Sequence, residues 1–157
     1  KKKVKKLVSM AARIGDDGKT GYEFNVMVDA AASKKVFANW PTPIVMSGFE
    51  IGEKILTGIP LIHNAAIQHS PVKDAFTVAL TKDNNTLGRN SWDETAVLVA
   101  VRGIEPWFNT RQLHFDVEAD GKNVLIPGDK ITYLEFKQTP ETIANTIEQL
   151  IMHQPVK

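Results

Sequence analysis

Two short apolar runs with a helix-length segment between them limit the folds open to this chain of 157 residues. The first run, Leu7–Met10, is flanked by lysines and alanines, and the second, residues 43–48, ends in glycine. Both have the length of buried strands. Between them, Asp29 is a predicted N-cap for a helix to about Asn39, and residues 49–56 predict a second short helix. This order is typical of an α/β protein with a doubly wound, mostly parallel sheet flanked by helices.

The second half of the chain predicts two further helices, a hairpin and a final helix. Ser70 and a following proline begin a helix, and a capping box at residues 91–94 begins another. The second of these helices is apolar on nearly every side, so we expect it to be central and buried. Residues 112–118, 124–126 and 131–136 predict strands, with a hairpin turn at Asp120 and Gly121. The final helix carries an apolar stripe that includes Leu150, and Pro155 marks its predicted end.

The composition is that of one globular domain, which we take as a single α/β unit over residues 1–157. It is 43% hydrophobic and 24% charged, a balance that excludes disordered and fibrous classes. No apolar run approaches the ~20 residues that a membrane-spanning helix needs. The absence of cysteine excludes disulfides and thiolate metal sites, and it leaves both a cytoplasmic and a bacterial periplasmic location open.

A run of five lysines in residues 1–6 is the only concentration of charge in a chain whose formal net charge is +1. Such a run can bind nucleic acid or an anionic surface. It contains no aromatic residue, and a short basic run is more often a solvated end leading into a strand. We therefore predict neither a nucleic-acid partner nor a membrane partner.

Two polar clusters are candidates for a functional site. Glu23, Phe24 and Asn25 close a loop that follows a buried strand, which is where α/β proteins place binding residues. A carboxylate and an amide can each bridge two sugar hydroxyls, although capping the next helix is an equally good interpretation. In the second cluster, Asp93 is better explained by the helix dipole, and Trp92 by core packing, than by ligand binding. The four histidines show no metal-ligand spacing.

Several blocks of the sequence, taken together, resemble a known family. They are residues 9–12, residues 22–25, residues 40–48 and residues 88–98. In order and spacing they resemble the C-terminal half of the nucleoside hydrolases, calcium-dependent enzymes that cleave the N-glycosidic bond of ribonucleosides. The resemblance covers most of the chain to about Gly103, and separate blocks in the same order are far more specific than any one block.

The resemblance implies a role for each block. Glu23 and Asn25 would bind ribose hydroxyls, and Asp93 would contact both the ribose and a calcium ion. Asp17 stands where many members have a sugar-binding asparagine. The implied substrate-binding residues are Met10, Asp17, Glu23, Phe24, Asn25, Trp92 and Asp93, and the implied metal ligand is Asp93.

Three departures from the family pattern qualify these roles. The family's acidic cluster, which completes the calcium site and supplies the general base, is absent from this sequence. The resemblance therefore implies the C-terminal half of a larger domain, with no catalytic base of its own and no activity alone. Trp92 stands where many members have a histidine that protonates the leaving base, so leaving-group activation is unassigned. Ala11 and Ala12 replace a small-residue pair that usually contains glycine.

Sequence and resemblance together predict part of a nucleoside hydrolase-like N-glycosidase that contributes a ribose clamp and one calcium ligand. The alternative is a non-catalytic relative of the same fold that binds ribose or another carbohydrate. The expected partners are a nucleoside or ribose-like small molecule and either the missing N-terminal half or a second copy of the chain, with the parent a homo-oligomer.

Overall fold

A four-stranded sheet forms the centre of the fold in the computed structural model, which describes residues 3–154. The strands are β1 (Leu7–Met10), β2 (Ile44–Ser47), β3 (Leu56–Thr57), β4 (Arg89–Asn90), β5 (Phe108–Val117) and β6 (Asn123–Phe136). The main sheet has the order β1-β2-β6-β5, and β3 and β4 form a separate antiparallel pair. β1, β2 and β6 run parallel, and β5 is antiparallel to β6.

Helices cover both faces of this sheet. They are α1 (Phe24–Val28), α2 (Ala30–Asn39), α3 (Phe49–Glu53), α4 (Ile59–His63), α5 (Pro71–Lys82), α6 (Trp92–Arg102) and α7 (Pro140–Ile151). One core cluster joins α2 to the sheet through Phe37, and a second joins α3, α6 and α7 to the opposite face. This arrangement confirms the predicted α/β fold with a mostly parallel sheet between helices, a hairpin and a final helix.

The two parallel strands β1 and β2, which correspond to the two short apolar runs of the sequence, differ in burial. All four residues of β2 are buried, because β2 lies between two neighbours and under helices on both faces. β1 is an edge strand, and only Met10 at its carboxyl end is fully buried. The prediction of a strand at β1 is therefore correct, while the prediction that it is buried holds only for its last residue.

The C-terminal strands are longer than the sequence pattern predicts. The predicted strands at residues 124–126 and 131–136 belong to one strand, β6, which pairs with β5 along its length. The register shifts between Leu113 and His114, opposite residues 127–130 of β6. Pro127 has no N–H to donate, and Gly128 has a φ of 142°, so this sequence favours a bulge. The predicted turn at Gly121 is present, with a φ of 89°.

The prediction that α6 is buried on all sides is wrong. Leu98 and Val99 on one face are buried, whereas Val97 and Val101 on the other are 60% and 74% exposed. Within residues 3–154, only one side of α6 packs against the sheet. The capping box is also wrong, because Ser91 makes no side-chain cap and shares a 2.7 Å hydrogen bond with Thr57 instead.

The remaining predictions concern one helix boundary, the burial of Leu150 and the ends of the chain. The short helix after β2 ends at Glu53, and Leu56 lies in β3, paired with Asn90. Leu150 of α7, predicted to face the core, is 39% exposed. Lys1, Lys2 and the helix-ending Pro155 lie outside the described residues. No helix within residues 3–154 combines the length and the apolar character needed to cross a membrane.

Candidate functional site

An open cleft of about 280 Å³ lies where the loop after β1 meets the start of α6. The residues that line it are Met10, Glu23, Phe24, Asn25, Phe49, Arg89, Trp92 and Asp93. The structure thus brings together all the predicted substrate-binding residues except Asp17. The Asp17 carboxylate is exposed on the loop and forms an ion pair with Lys19 at 3.2 Å. The cleft lies at the carboxyl end of a parallel strand, where open α/β sheets bind ligands.

Glu23 is the most deeply buried acid of the cleft, with 3% of its surface exposed. It is the N-cap of α1, and its carboxylate accepts hydrogen bonds from the backbone N–H of Asn25 at 2.9 Å and of Val26 at 3.2 Å. Burial raises the pKa of this carboxyl, the amide hydrogen bonds oppose the shift, and the charge of Asp93 adds to it. A carboxylate has about four lone-pair sites, so capping the helix leaves acceptor capacity for a ligand.

Asn25 is held by the end of β1. Its Nδ2 donates to the carbonyl oxygen of Met10 at 3.3 Å and contacts the Met10 sulfur at 3.2 Å. Its Oδ1 accepts no hydrogen bond from any described residue, which leaves an acceptor available at the cleft. Phe24, 75% exposed, forms the apolar rim beside it.

The opposite end of the cleft is aromatic. The rings of Trp92 and Phe49 lie 5.3 Å apart, and Trp92 Nε1 donates to the Phe49 carbonyl oxygen at 3.1 Å. Gly52 allows this contact, because a Cβ there would lie 2.3 Å from the Cα of Trp92. α3 therefore packs directly against the first turn of α6 and fixes the positions of Trp92 and Asp93.

Sequence analysis missed Phe49 and Arg89. Phe49 lies two residues beyond the end of β2, so the rule that ligands lie beyond the carboxyl ends of adjacent parallel strands could have identified it. Arg89 lies three residues before Trp92 in the chain, and its guanidinium carbon lies 6.0 Å from the Trp92 ring centroid. It also forms an ion pair with Asp83 at 3.0 Å.

The start of α6 concentrates charge at the cleft. Burial raises the pKa of Glu94, the adjacent Asp93 raises it further, and Arg89 opposes the shift. No group of three or more His, Asp or Glu side chains among the described residues could hold a metal ion. Calcium takes about six to eight oxygen ligands, so these residues by themselves do not fit it. The calcium prediction stays a prediction.

Two side chains anchor the start of the loop that leads into the cleft. Glu50 accepts from the backbone N–H of Ile14 at 3.2 Å and from the Tyr133 hydroxyl at 2.6 Å. Burial, followed by the charge of Glu50, raises the pKa of Tyr133. Buried Asn123 bonds to both the N–H and the carbonyl of Arg13, at 3.1 and 3.0 Å. These bonds fix the chain direction ahead of Glu23.

Ala12 makes the sharp turn out of β1. Its φ is 64°, in the left-handed region that favours glycine, and its side chain is fully buried. Its carbonyl oxygen accepts a hydrogen bond from Phe49 N at 2.9 Å, which ties the ends of β1 and β2 together. The alanine at this position therefore adopts a conformation for which glycine is the ordinary choice.

Comparison with known proteins identifies a structural relative. No protein-family model and no curated protein sequence matches the chain. Among solved structures, the purine-preferring ribonucleoside hydrolase from Gardnerella vaginalis is similar to it, with a TM-score of 0.63 and 16% sequence identity. The match covers 94% of this chain and 53% of that one, so the chain spans about half the length of this relative. At this identity the likeness establishes the fold, which is that of a nucleoside hydrolase.

Proposed function

We propose that this chain corresponds to the C-terminal half of a nucleoside hydrolase and supplies the sugar-binding side of an enzyme that cleaves ribonucleosides to base and sugar. The observation that carries the proposal is the convergence of Glu23, Asn25 and Asp93 on one cleft of this fold. These are the residues to which the sequence resemblance gives roles, and they come from two segments about 70 residues apart in the chain.

The geometry suits a ribose ring. Glu23 is rigid, because its backbone hydrogen bonds hold both carboxylate oxygens, and Asn25 offers a free oxygen beside it. Acceptors of this kind bind vicinal hydroxyls and fix the ring for attack at the anomeric carbon. Glycoside cleavage develops positive charge on the sugar, which the carboxylates of Glu23 and Asp93 would stabilise.

The general base and the remaining metal ligands would come from a second polypeptide segment. Asp93 would supply one oxygen to a calcium ion, and we derive no chemical step through that ion because the described residues do not complete its site. An apolar groove of about 370 Å³, lined in part by Val97, Val101 and Leu150, begins at Asp93. We propose that the complementary half of the fold docks there, since the structural relative contains about as much chain again.

A non-catalytic ribose-binding protein is the second candidate. One observation supports it: Glu23 and Asn25 meet at the cleft, whereas no group of three or more His, Asp or Glu side chains among the described residues could hold a metal ion. In that case the clamp alone would be the functional element, and no complementary chain would restore hydrolysis.

Calorimetric titration with ribose tests the shared premise. We expect the chain to bind ribose and Glu23→Gln to bind it about tenfold more weakly or worse, because the variant loses a charged acceptor. Glu118→Gln, an exposed acid outside the cleft, is the matched control and should bind as the parent does. An equal affinity for all three proteins, or no binding by the parent chain, would refute the clamp.

Release of free base from a panel of nucleosides separates the two candidates. The chain alone should release none, and a mixture with the complementary half of the protein should release base in a calcium-dependent manner. Ribose binding without turnover in that mixture would favour the non-catalytic relative. Calcium-independent turnover would refute the metal assignment.

A further inference from the structure

We propose that Arg89 binds the leaving base in this cleft and selects purines with an oxygen at position 6, hypoxanthine or guanine, over adenine. The inference rests on the proposed function, because the ribose clamp would bring the base to this end of the cleft. It assigns a donor to the leaving group, which neither the family resemblance nor the acids of the cleft provide.

Arg89 is positioned by the backbone rather than by a flexible loop. It lies in β4, paired with Thr57 of β3, and it follows Gly88, whose φ is 119°. A Cβ at Gly88 would lie 2.9 Å from the Thr57 carbonyl oxygen, so the two strands meet closely there. The guanidinium carbon of Arg89 lies 6.0 Å from the Trp92 ring centroid, and the residue lines the cleft.

Most of the hydrogen-bonding capacity of Arg89 is unused. A guanidinium has five N–H donors and no acceptor. Within residues 3–154, one hydrogen bond is made by this group, from Nη1 to Asp83 Oδ2 at 3.0 Å. Both side chains are nearly half exposed, so the ion pair is weak and does not bind the arginine tightly away from the cleft.

Trp92 cannot serve as this donor. Its N–H is already committed to the Phe49 carbonyl oxygen, so the ring offers a base only its flat apolar face. The guanidinium carbon of Arg89 lies over this ring, 6.0 Å from its centroid. A base packed against the exposed part of the ring would therefore lie within reach of the guanidinium N–H groups. The two residues together thus make a subsite with a stacking surface and a cation.

The chemistry of the donor determines the base. Arginine can bind oxygen O6 and nitrogen N7 of guanine through two parallel hydrogen bonds, and hypoxanthine presents the same edge. Adenine has an amino group in place of O6, so one of the two hydrogen bonds is lost. The amino N–H of adenine would then face an N–H of the guanidinium, and neither can accept. Selection against adenine follows from the absence of any acceptor on the guanidinium.

The same contact would assist bond cleavage. When the C–N glycosidic bond breaks, its electron pair moves to the base nitrogen and the water oxygen bonds to the anomeric carbon. The attacking water gives its proton to the general base of the complementary half, and the base leaves as an anion stabilised by the fixed positive charge of Arg89. The anion takes a proton from solvent water, and the hydroxide that remains recovers the proton held by the general base. Arg89 keeps its own proton, since arginine is not deprotonated in proteins.

Binding of free bases and free ribose by the chain tests the proposal. We expect Arg89→Gln to weaken hypoxanthine binding by about tenfold or more, as expected for loss of a two-bond contact, and to leave ribose binding unchanged. Arg89→Lys keeps the charge without the fork and should be intermediate. Asp83→Asn removes the ion-pair partner but keeps the guanidinium, so it should bind hypoxanthine at least as tightly as the parent.

The outcomes are separable. Equal hypoxanthine affinity in the parent and Arg89→Gln would overturn the role of Arg89. The role would also be overturned if Asp83→Asn weakened hypoxanthine binding as much as Arg89→Gln does. Adenine bound as tightly as hypoxanthine would overturn the selectivity. Ribose binding with no base binding would overturn the subsite while leaving the proposed function intact, whereas no ribose binding would remove both.

Discussion

The two ends of the cleft are built in different ways. At the end proposed to bind the sugar, called the sugar end below, Glu23 and Asn25 are held by hydrogen bonds to backbone atoms within one segment of chain. At the end proposed to bind the base, called the base end below, Trp92 and Arg89 are placed by contacts between elements, namely the packing of α3 on α6 and the pairing of β3 with β4. Because local hydrogen bonds hold Glu23 and Asn25, the sugar end can be predicted from the sequence. The base end depends on tertiary packing, which the sequence pattern does not reveal.

Of the two ends of the cleft, the proposed base end should show the larger effect of a single substitution on stability. Gly52→Ala would place a Cβ 2.3 Å from the Trp92 Cα and 2.6 Å from its nitrogen, both backbone atoms that cannot rotate away. We expect the free energy of unfolding to fall by about 1–3 kcal/mol or more, as for overpacked cores, with a change in Trp92 fluorescence. Denaturant unfolding measures the first quantity.

Gly21→Ala is the matched control for this substitution. Nothing lies within 4 Å of a Cβ at Gly21, and its φ lies outside the left-handed region. We expect a change in unfolding free energy within about 0.5 kcal/mol. If the two alanine variants had equal stability, the base end would not depend on close packing of α3 against α6.

At the sugar end, two neighbouring N-caps allow structure and binding to be separated. Glu23→Ala removes the cap of α1, and Asp29→Ala removes the cap of α2, whose carboxylate accepts from Ala32 N at 2.9 Å. Each should cost about 1 kcal/mol of unfolding free energy. Only Glu23→Ala should lose ribose binding, because Asp29 lies outside the cleft. Equal ribose affinities in the two variants would show that Glu23 acts only as a cap.

The two ends should also respond differently to pH. Burial raises the pKa of Glu23 above its ordinary value of 4.5. Ribose binding needs the ionised acceptor, so it should weaken as pH falls through this raised pKa, at a higher pH than an ordinary glutamate would allow. Binding of hypoxanthine through Arg89 should stay constant over the same range. Titrations of each ligand from pH 4 to 8 measure how both affinities depend on pH. If the two affinities changed with pH in the same way, one titrating group would control both sites, contrary to this prediction.

The effect of Glu23 on stability has the opposite sign. A carboxyl whose pKa is raised in the folded state stabilises the fold most fully below its unfolded pKa, and this contribution is lost as pH rises through the folded pKa. The parent should therefore lose stability relative to Glu23→Gln across that window. The pKa of Glu94 is raised as well, so Glu94 would add to the same pH dependence of stability. Both proteins should therefore carry Glu94→Gln when their stabilities are compared.

The fold class and most of the residues that meet at the cleft can be predicted from the sequence, whereas features that depend on contacts between distant segments cannot. β2, the N-caps of α2 and α5 and the hairpin turn each carry a local signal, and all four are present. The burial of α6 could not be predicted, since an apolar helix does not reveal whether both its sides are covered. Arg89 was missed because its place in the cleft follows from strand pairing with residues more than 30 positions earlier.

The smallest effect on stability is expected on the exposed face of α6. Val101 is 74% exposed, so Val101→Ser should change the unfolding free energy of the chain by less than about 0.5 kcal/mol. Leu98→Ala on the buried face of the same helix should cost about 2–5 kcal/mol, which makes it the structural reference. If the complementary half of the protein docks in the groove, Val101→Ser should nevertheless weaken that association, measured by sedimentation or calorimetry of the mixture. Unchanged association would move the docking surface away from α6, and self-association of the chain that Val101→Ser abolishes would identify a second copy as the occupant.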